Sequence, residues 1–318
     1  MRKEYLKGMA LCLTAALAWG VSFPVMGHAL LRMDPFNFTA LRYGAAAAIM
    51  LAILFYKEGG AALKLRGERY VLAWALGSCG FCGYGFFIFH GQQLAGRSGA
   101  LSASAMIATT PMLTLVLNWA IRGKRPSAVA FGCIGLSFYG VLLVVSGGAP
   151  GSLLHQGVAS DSAAFLLLGS ASWALYTLGA SFFPGWSGYR YSAITTGLGL
   201  TTILLADFSL QALGYIPRPA ITALPALLPY LAYMVLVAGV LAVLCWNLGN
   251  KIITPTNGVL FLDVVPLTAF AVEALAGTPI AAGQLLGAAC TGAALVLNNL
   301  YQRRPLALPP SLPSSRPG

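Results

Sequence analysis

Two short segments decide the fold: VVPLTAF at residues 264–270 and TTPMLTL at residues 109–115. Each carries a proline at its third position, and Pro111 and Pro266 are 155 residues apart. Both prolines lie inside long apolar stretches of the chain. A motif that recurs after about half of the chain predicts that one structural unit is present twice.

Further segments recur at almost the same distance. AALAWG, which contains Trp19, matches GSASWA, which contains Trp173, at an offset of 154. PFNFTALRYG, which ends at Gly44, matches GYRYSAITTG, which ends at Gly197, at an offset of 153. Several matches at nearly one offset predict a repeat that covers most of the chain.

The composition excludes a soluble globular protein. The chain has 318 residues, of which 58% are apolar and only 8% charged, whereas soluble domains carry roughly 25% charged residues. A membrane-spanning helix needs about 20 apolar residues. Ten stretches of this kind are present: 9–31, 36–56, 70–92, 98–121, 127–146, 162–183, 190–212, 227–250, 256–276 and 281–301.

The repeat and the ten stretches together predict an all-α integral membrane protein. Residues 1–148 form the first repeat with spans 1 to 5, and residues 160–302 form the second with spans 6 to 10. Because five is an odd number, the second repeat enters the membrane from the opposite side, which gives an inverted pair. Residues 303–318 are expected to be a disordered cytoplasmic tail.

The net charge of +11 does not indicate a nucleic-acid partner. The basic residues are spread over alternate connections, as in proteins oriented by the positive-inside rule. Fifteen of the 19 lie on the side of the N-terminus, three on the other side, and Arg42 lies within a span. We therefore expect both termini in the cytoplasm.

The chain resembles the drug/metabolite transporter superfamily, in particular the ten-span EamA-type exporters. The resemblance is carried by AALAWG with Trp19, SASWAL with Trp173, Pro111, Pro266 and the segment from PLTAF into span 10, and it covers residues 8–302. Among these proteins the chain is most similar to the YddG-type amino-acid exporters. The resemblance implies a bacterial inner-membrane exporter of aromatic and other apolar amino acids, or related metabolites. It also implies a central cavity between spans 1, 3, 4, 6, 8 and 9.

Aromatic and polar residues at helical spacing are candidates for the wall of this cavity. Tryptophan is most common at membrane interfaces, so an indole at mid-membrane depth indicates a helix interface or a cavity wall. The predicted cavity residues are Trp19, Tyr84, His90, Trp173, Tyr176, Trp246, Asn247 and Asp263. Together they suit a zwitterion with an apolar side chain.

Three of the candidate roles have alternatives that the sequence leaves open. Asp263 binds an amino group or relays a proton, or else it forms a structural hydrogen bond to a neighbouring helix. His90 is a protonatable cavity residue or an interfacial histidine. Pro111 and Pro266 are hinges of the transport cycle or static kinks.

Other function classes are less well supported. Drug or lipophilic-cation efflux keeps the same architecture and is the first alternative. Nucleotide cargo requires several buried cations, and only Arg42 is available. An intramembrane serine hydrolase requires an activating histidine beside Ser98, and none follows it within a span. No catalytic residue, metal or cofactor is predicted. The expected partners are a small-molecule substrate and membrane lipid; the sequence leaves the oligomeric state open, and a monomer is compatible with it.

Overall fold

The computed structural model describes residues 2–96, 99–123, 125, 127–145, 148–149, 151, 160–219, 224–275 and 282–302. All regular structure in these ranges is helical. We number ten helices in chain order: α1 Arg2–Ala29, α2 Pro35–Glu58, α3 Tyr70–Leu94, α4 Gly99–Arg122, α5 Ala128–Val145, α6 Ser160–Gly179, α7 Gly188–Ala212, α8 Leu224–Ile253, α9 Val264–Leu275 and α10 Ala282–Gln302. A short helix, Pro255–Gly258, and a 3₁₀ segment, Val259–Asp263, precede α9.

The long helices identify a multi-pass membrane protein. Within the described residues, eight helical stretches are long and apolar enough to cross a membrane. Seven of them correspond to α1 to α4 and α6 to α8, and the eighth, Pro255–Val272, comprises the short helix, the 3₁₀ segment and the first part of α9. α5 and α10 contain shorter apolar segments, Ala128–Gly140 and Leu285–Ala294. The structure thus confirms an all-helical membrane protein, and the count of ten spans stays a prediction. The expected tail at residues 303–318 lies outside the described residues.

Local sequence signals explain where helices begin and end. Asp34 caps α2, and its carboxylate accepts hydrogen bonds from the backbone amides of Phe36 at 3.0 Å and Asn37 at 2.9 Å. Pro35 at the first position needs no partner for an amide hydrogen. α2 is followed by Gly59 with a φ of 74°, a conformation that glycine adopts without a Cβ penalty.

Helices α3 and α8 each contain a π-helical segment. The segment in α3 is Ser78–Gly83 and that in α8 is Tyr233–Leu241. Their first residues are 155 apart, the same distance as between Pro111 and Pro266. π-Helical turns change the hydrogen-bond register of a helix and occur frequently at functional sites.

Helices α4 and α9 are interrupted next to the two paired prolines. α4 has two helical parts, Gly99–Ile107 and Thr110–Arg122, joined by a turn at residues 108–109. Pro111 is the second residue of the later part, and Pro266 is the third residue of α9. A proline in the first turn of a helix removes no intrahelical hydrogen bond. The prolines therefore lie where helices restart, and whether they act as hinges or as static kinks stays a prediction.

Small residues hold the helices close together. A Cβ on Gly77 of α3 would collide with the carbonyl of Thr195 in α7. A Cβ on Gly249 of α8 would lie 2.6 Å from Sγ of Cys12 in α1. A Cβ on Gly140 of α5 would lie 2.6 Å from the carbonyl oxygen of Gly287 in α10. Contacts between small residues allow this close approach of membrane helices.

Candidate functional site

Three tryptophans from three helices meet in the middle of the bundle. The ring of Trp19 in α1 lies 5.1 Å from that of Trp173 in α6 and 5.3 Å from that of Trp246 in α8. Both contacts are edge-to-face, the arrangement that aromatic quadrupoles favour. The Tyr84 ring of α3 lies 5.1 Å from the Trp173 ring. We call Trp19, Trp173 and Trp246 the tryptophan cluster.

The indole N–H groups of the tryptophan cluster have different partners. Trp19 donates to the carbonyl of Ala238 at 3.0 Å, within the π-helical segment of α8. Trp246 donates to the hydroxyl of Thr177 at 3.1 Å. Trp173 Nε1 is buried and has no hydrogen-bond partner among the described residues. One donor of the cluster therefore has no acceptor among the described residues.

A buried polar network supports the cluster from one side. Asn247 donates from Nδ2 to the hydroxyls of Tyr176 at 2.7 Å and Ser192 at 2.9 Å. The Tyr176 ring lies 5.0 Å from that of Trp173. The structure thus brings six of the predicted residues into one connected set: Trp19, Tyr84, Trp173, Tyr176, Trp246 and Asn247.

A small central cavity adjoins the cluster. Its wall consists of Trp19, Phe23, Arg42, Tyr43, Tyr84, Ile107, Trp173, Val243, Leu262 and Val265. Its volume is about 10 Å³, which is close to the space one water molecule needs. In this conformation the centre of the bundle is closed, and a larger ligand requires the helices to separate.

Arg42 is the one charged residue in this wall, and the sequence analysis did not place it in the site. Its side chain is 2% exposed, and Nη2 donates to the hydroxyl of Tyr43 at 2.7 Å. Nε and Nη1 have no hydrogen-bond partner within the described part of the chain. The signal that marks Arg42 is a lone cation in an apolar span, which costs about 2.5–3.5 kcal/mol at the bilayer centre.

Two predicted residues lie elsewhere. Asp263 is buried, and its Oδ2 accepts a hydrogen bond from Ser137 of α5 at 2.6 Å, whereas its neighbour Leu262 lines the central cavity. His90 is half-buried, with its ring 4.9 Å from Phe165 and 5.5 Å from Phe36. Neither is among the residues that line the central cavity, and their roles in binding stay predictions.

Two larger cavities flank the centre. One, of about 260 Å³, lies between the start of α7 and the end of α8, and Asn250 and Lys251 line it. The other, of about 440 Å³, lies beside the ends of α1 and α3, and Gln92 and His28 line it. Gly8, near the start of α1, contacts Ile253 at the end of α8. The cavities therefore lie at opposite ends of α1, with Trp19 between them.

At the end of the bundle where α1 begins, Glu68, Trp186 and Arg190 link two loops between helices. Arg190 forms an ion pair with Glu68 at 2.9 Å, and its guanidinium lies 4.6 Å from the Trp186 ring centre. Trp186 donates from Nε1 to the other Glu68 oxygen at 3.0 Å. The connection between α2 and α3 is thereby fastened to the connection between α6 and α7.

The described residues show no group of three His, Cys, Asp or Glu side chains that is suited to hold a metal ion. Ser98, the candidate serine of an intramembrane hydrolase, and its neighbour at position 97 lie outside the described residues.

A closed aromatic centre between two cavities at opposite ends of a helical membrane bundle fits the class of membrane transporters. The chain belongs to the EamA-like transporter family, whose family model matches residues 6–146. The uncharacterized transporter YrdR of Bacillus subtilis is 34% identical over 300 residues, which cover 93% of this chain and 92% of that protein.

Two further comparisons agree with this assignment. The uncharacterized transporter YyaM of Bacillus subtilis is 27% identical over 273 residues, and the alignment covers 85% of this chain and 86% of that protein. One solved crystal structure matches with a TM-score of 0.72 at 17% identity, and the alignment covers 93% of this chain and 98% of the other. That match shows a shared fold.

Proposed function

We propose that this transporter exports aromatic and other apolar amino acids, or related small metabolites, from the bacterial cytoplasm by alternating access. The observation that carries the proposal is the tryptophan cluster, which lies between two cavities at opposite ends of α1. Aromatic walls with a few polar groups are typical of sites for small apolar ligands. Opening toward either cavity in turn exposes the same centre to opposite sides of the membrane.

Two inverted five-helix repeats, residues 1–148 and 160–302, supply the two conformations. The matching π-helical segments of α3 and α8 and the matching interruptions of α4 and α9 support this pairing. Ten spans then place both termini in the cytoplasm, because an even number of crossings returns the chain to its starting side. An inverted pair changes sides by exchanging the shapes of its halves.

Lipophilic-cation efflux is the competing transport function. Aromatic rings attract cations, so the tryptophan cluster alone is compatible with such a cargo. The charged residue on the cavity wall is Arg42, and none of the described residues on that wall is acidic. A cation in the cavity therefore meets a like charge, which favours the amino-acid proposal.

Transport of labelled L-phenylalanine into proteoliposomes, with unlabelled amino acids and lipophilic cations as competitors, tests the proposal. We expect unlabelled apolar amino acids to compete and tetraphenylphosphonium to compete poorly. Trp19→Ala and Trp173→Ala should abolish transport, whereas Trp119→Ala, at a residue that is 44% exposed, should retain it. Ser98→Ala should also retain transport.

Two results would reject the proposal. Stronger competition by the cation than by any amino acid would indicate efflux of lipophilic cations. Loss of transport in Ser98→Ala alone, with both central tryptophans dispensable, would indicate an enzyme.

A further inference from the structure

The central cavity contains a buried cation, Arg42, whose charge is not paired by any acidic side chain of the described residues. An arginine guanidinium remains charged in proteins, and Arg42 is 2% exposed. Among the described residues, Arg190 and Glu68 form an ion pair, but this pair lies away from the central cavity, at the end of the bundle where α1 begins. The guanidinium of Arg42 instead lies 4.4 Å from the ring centre of Tyr43 and 5.4 Å from that of Phe89. Ring faces attract a cation more weakly than an anion does when the pair is desolvated.

The fully buried polar atoms of the cavity wall that lack a partner are all donors, whereas the hydroxyl of Tyr84, also on this wall, can donate or accept. Within the described residues these donors are Nε and Nη1 of Arg42 and Nε1 of Trp173. The indole N–H of Trp19 and the hydroxyl of Tyr43 already have partners. Arginine and tryptophan side chains have no acceptor atoms. A ligand that satisfies Arg42 and Trp173 must therefore bring acceptors, and a negatively charged acceptor pairs most strongly with the guanidinium.

We propose that Arg42 and Trp173 form a carboxylate-binding site, which holds the carboxylate of the transported substrate. The inference rests on the proposed function, because it names the group by which that substrate is recognised. A carboxylate matches a guanidinium with two oxygens, and one positive charge neutralises it fully. A phosphate dianion would keep an unpaired charge in the same surroundings. The apolar wall, which includes Phe23, Ile107 and Leu262, faces the rest of the substrate.

The site makes a carboxylate necessary and an amino group dispensable. Among the described residues of the cavity wall, none carries an acidic side chain. Asp263 follows the wall residue Leu262 in the sequence, but its carboxylate accepts a hydrogen bond from Ser137 of α5, and Asp263 does not line the cavity. Substrates of this site therefore include apolar monocarboxylates without an amino group.

Binding to the purified full-length protein tests the site without any transport step. The probes are L-phenylalanine, 3-phenylpropionate and 3-phenylpropionamide, and tryptophan fluorescence of the cluster reports their binding. We expect both carboxylates to bind at least about tenfold more tightly than the amide, because a charge-assisted pair replaces a neutral one. A wild-type protein that binds the amide as tightly as 3-phenylpropionate would overturn the proposal.

Variants then assign the preference to Arg42. Arg42→Gln should lose the difference between 3-phenylpropionate and its amide, and Arg42→Lys should keep part of it, because lysine has the charge without the planar fork. Arg32→Gln is the matched control, since Arg32 also lies near an aromatic ring, Tyr230, but is exposed. An unchanged carboxylate preference in Arg42→Gln would overturn the assignment.

The outcomes separate this inference from the proposed function. Carboxylate binding that depends on Arg42, without amino-acid transport in proteoliposomes, would keep the site and reject the proposed function. Amino-acid transport with an unchanged KM in Arg42→Gln would do the reverse. The thermal unfolding temperature of Arg42→Gln should equal or exceed that of the wild type, because removing an unpaired buried charge does not destabilise the fold. If the variant does not fold, the wild-type comparison of carboxylate and amide still decides.

Discussion

At the scale of single residues, the tryptophan cluster separates structural from functional roles. Trp173 and Trp246 are both buried, and both contact Trp19. The indole N–H of Trp246 stabilises the fold through Thr177, whereas that of Trp173 has no partner among the described residues. The same substitution at the two positions therefore has different consequences.

We predict that Trp246→Phe lowers the free energy of unfolding by about 0.5–1.5 kcal/mol more than Trp173→Phe, because only the first loses a hydrogen bond. Both variants lose a similar volume, so that the difference isolates this bond. Trp173→Phe should instead weaken the binding of 3-phenylpropionate. Unfolding in mixed detergent micelles and the fluorescence assay measure the two effects. Equal stabilities of the variants would contradict the prediction.

All three residues of the tryptophan cluster were predicted from the sequence, but the position of Arg42 on the cavity wall was not. Trp19 and Trp173 occupy matching repeat positions, and Tyr176 follows Trp173 by three residues on the same helical face. These relations lie within one helix or within the repeat. The approach of Arg42 in α2 to residues of α1, α3 and α6 depends on helix packing, which periodicity does not contain. The sequence left two roles open for Asp263, and its hydrogen bond with Ser137 of α5 corresponds to the structural one, although which helix supplies the partner was not predictable.

At the scale of elements, α4 and α9 differ from the other long helices because each follows or contains a break in the helix next to a proline. Hydropathy predicted the long helices, because the apolar content of a stretch is independent of its hydrogen-bond register. For the same reason it did not predict the π-helical segments or the turn before Pro111. A helix that restarts at a proline has few backbone hydrogen bonds across the break. The break is thus a place where a helix bends at low cost.

We predict that Pro111→Ala and Pro266→Ala fold and bind substrate but slow its transport. An alanine allows a more continuous helix across the break, which makes bending more costly. The two variants should also favour conformations that are open to opposite sides of the membrane, because Pro111 and Pro266 occupy matching positions in the two inverted repeats. Pro229→Ala is the control, since Pro229 is exposed in α8. Transport rates and cysteine accessibility measure these effects, and wild-type values in both variants would show that the prolines only shape the helices.

At the scale of the whole molecule, the described conformation is closed at its centre and fastened at one end. The cluster of Glu68, Trp186 and Arg190 joins two connections beside the cavity that Lys251 lines. Opening toward the cavity that Lys251 lines requires the contacts between Glu68, Trp186 and Arg190 to break. Opening toward the cavity at the other end of α1 leaves these contacts intact. In the proposed transport cycle, the two cavities are the ends of one route, and the tryptophan cluster lies between them.

The accessibility of a single cysteine at Ile107 tests alternating access most directly. Ile107 is 2% exposed and lines the central cavity beside the interruption of α4. The background lacks the six native cysteines, and exposed cysteines at Lys64 and Tyr215, which the proposed topology places on the cytoplasmic and outer sides, serve as references for labelling from each side. Our account predicts that a membrane-impermeant thiol reagent labels Ile107→Cys from both sides and that L-phenylalanine protects it. Labelling from one side only, or labelling that no carboxylate substrate slows, would contradict the account.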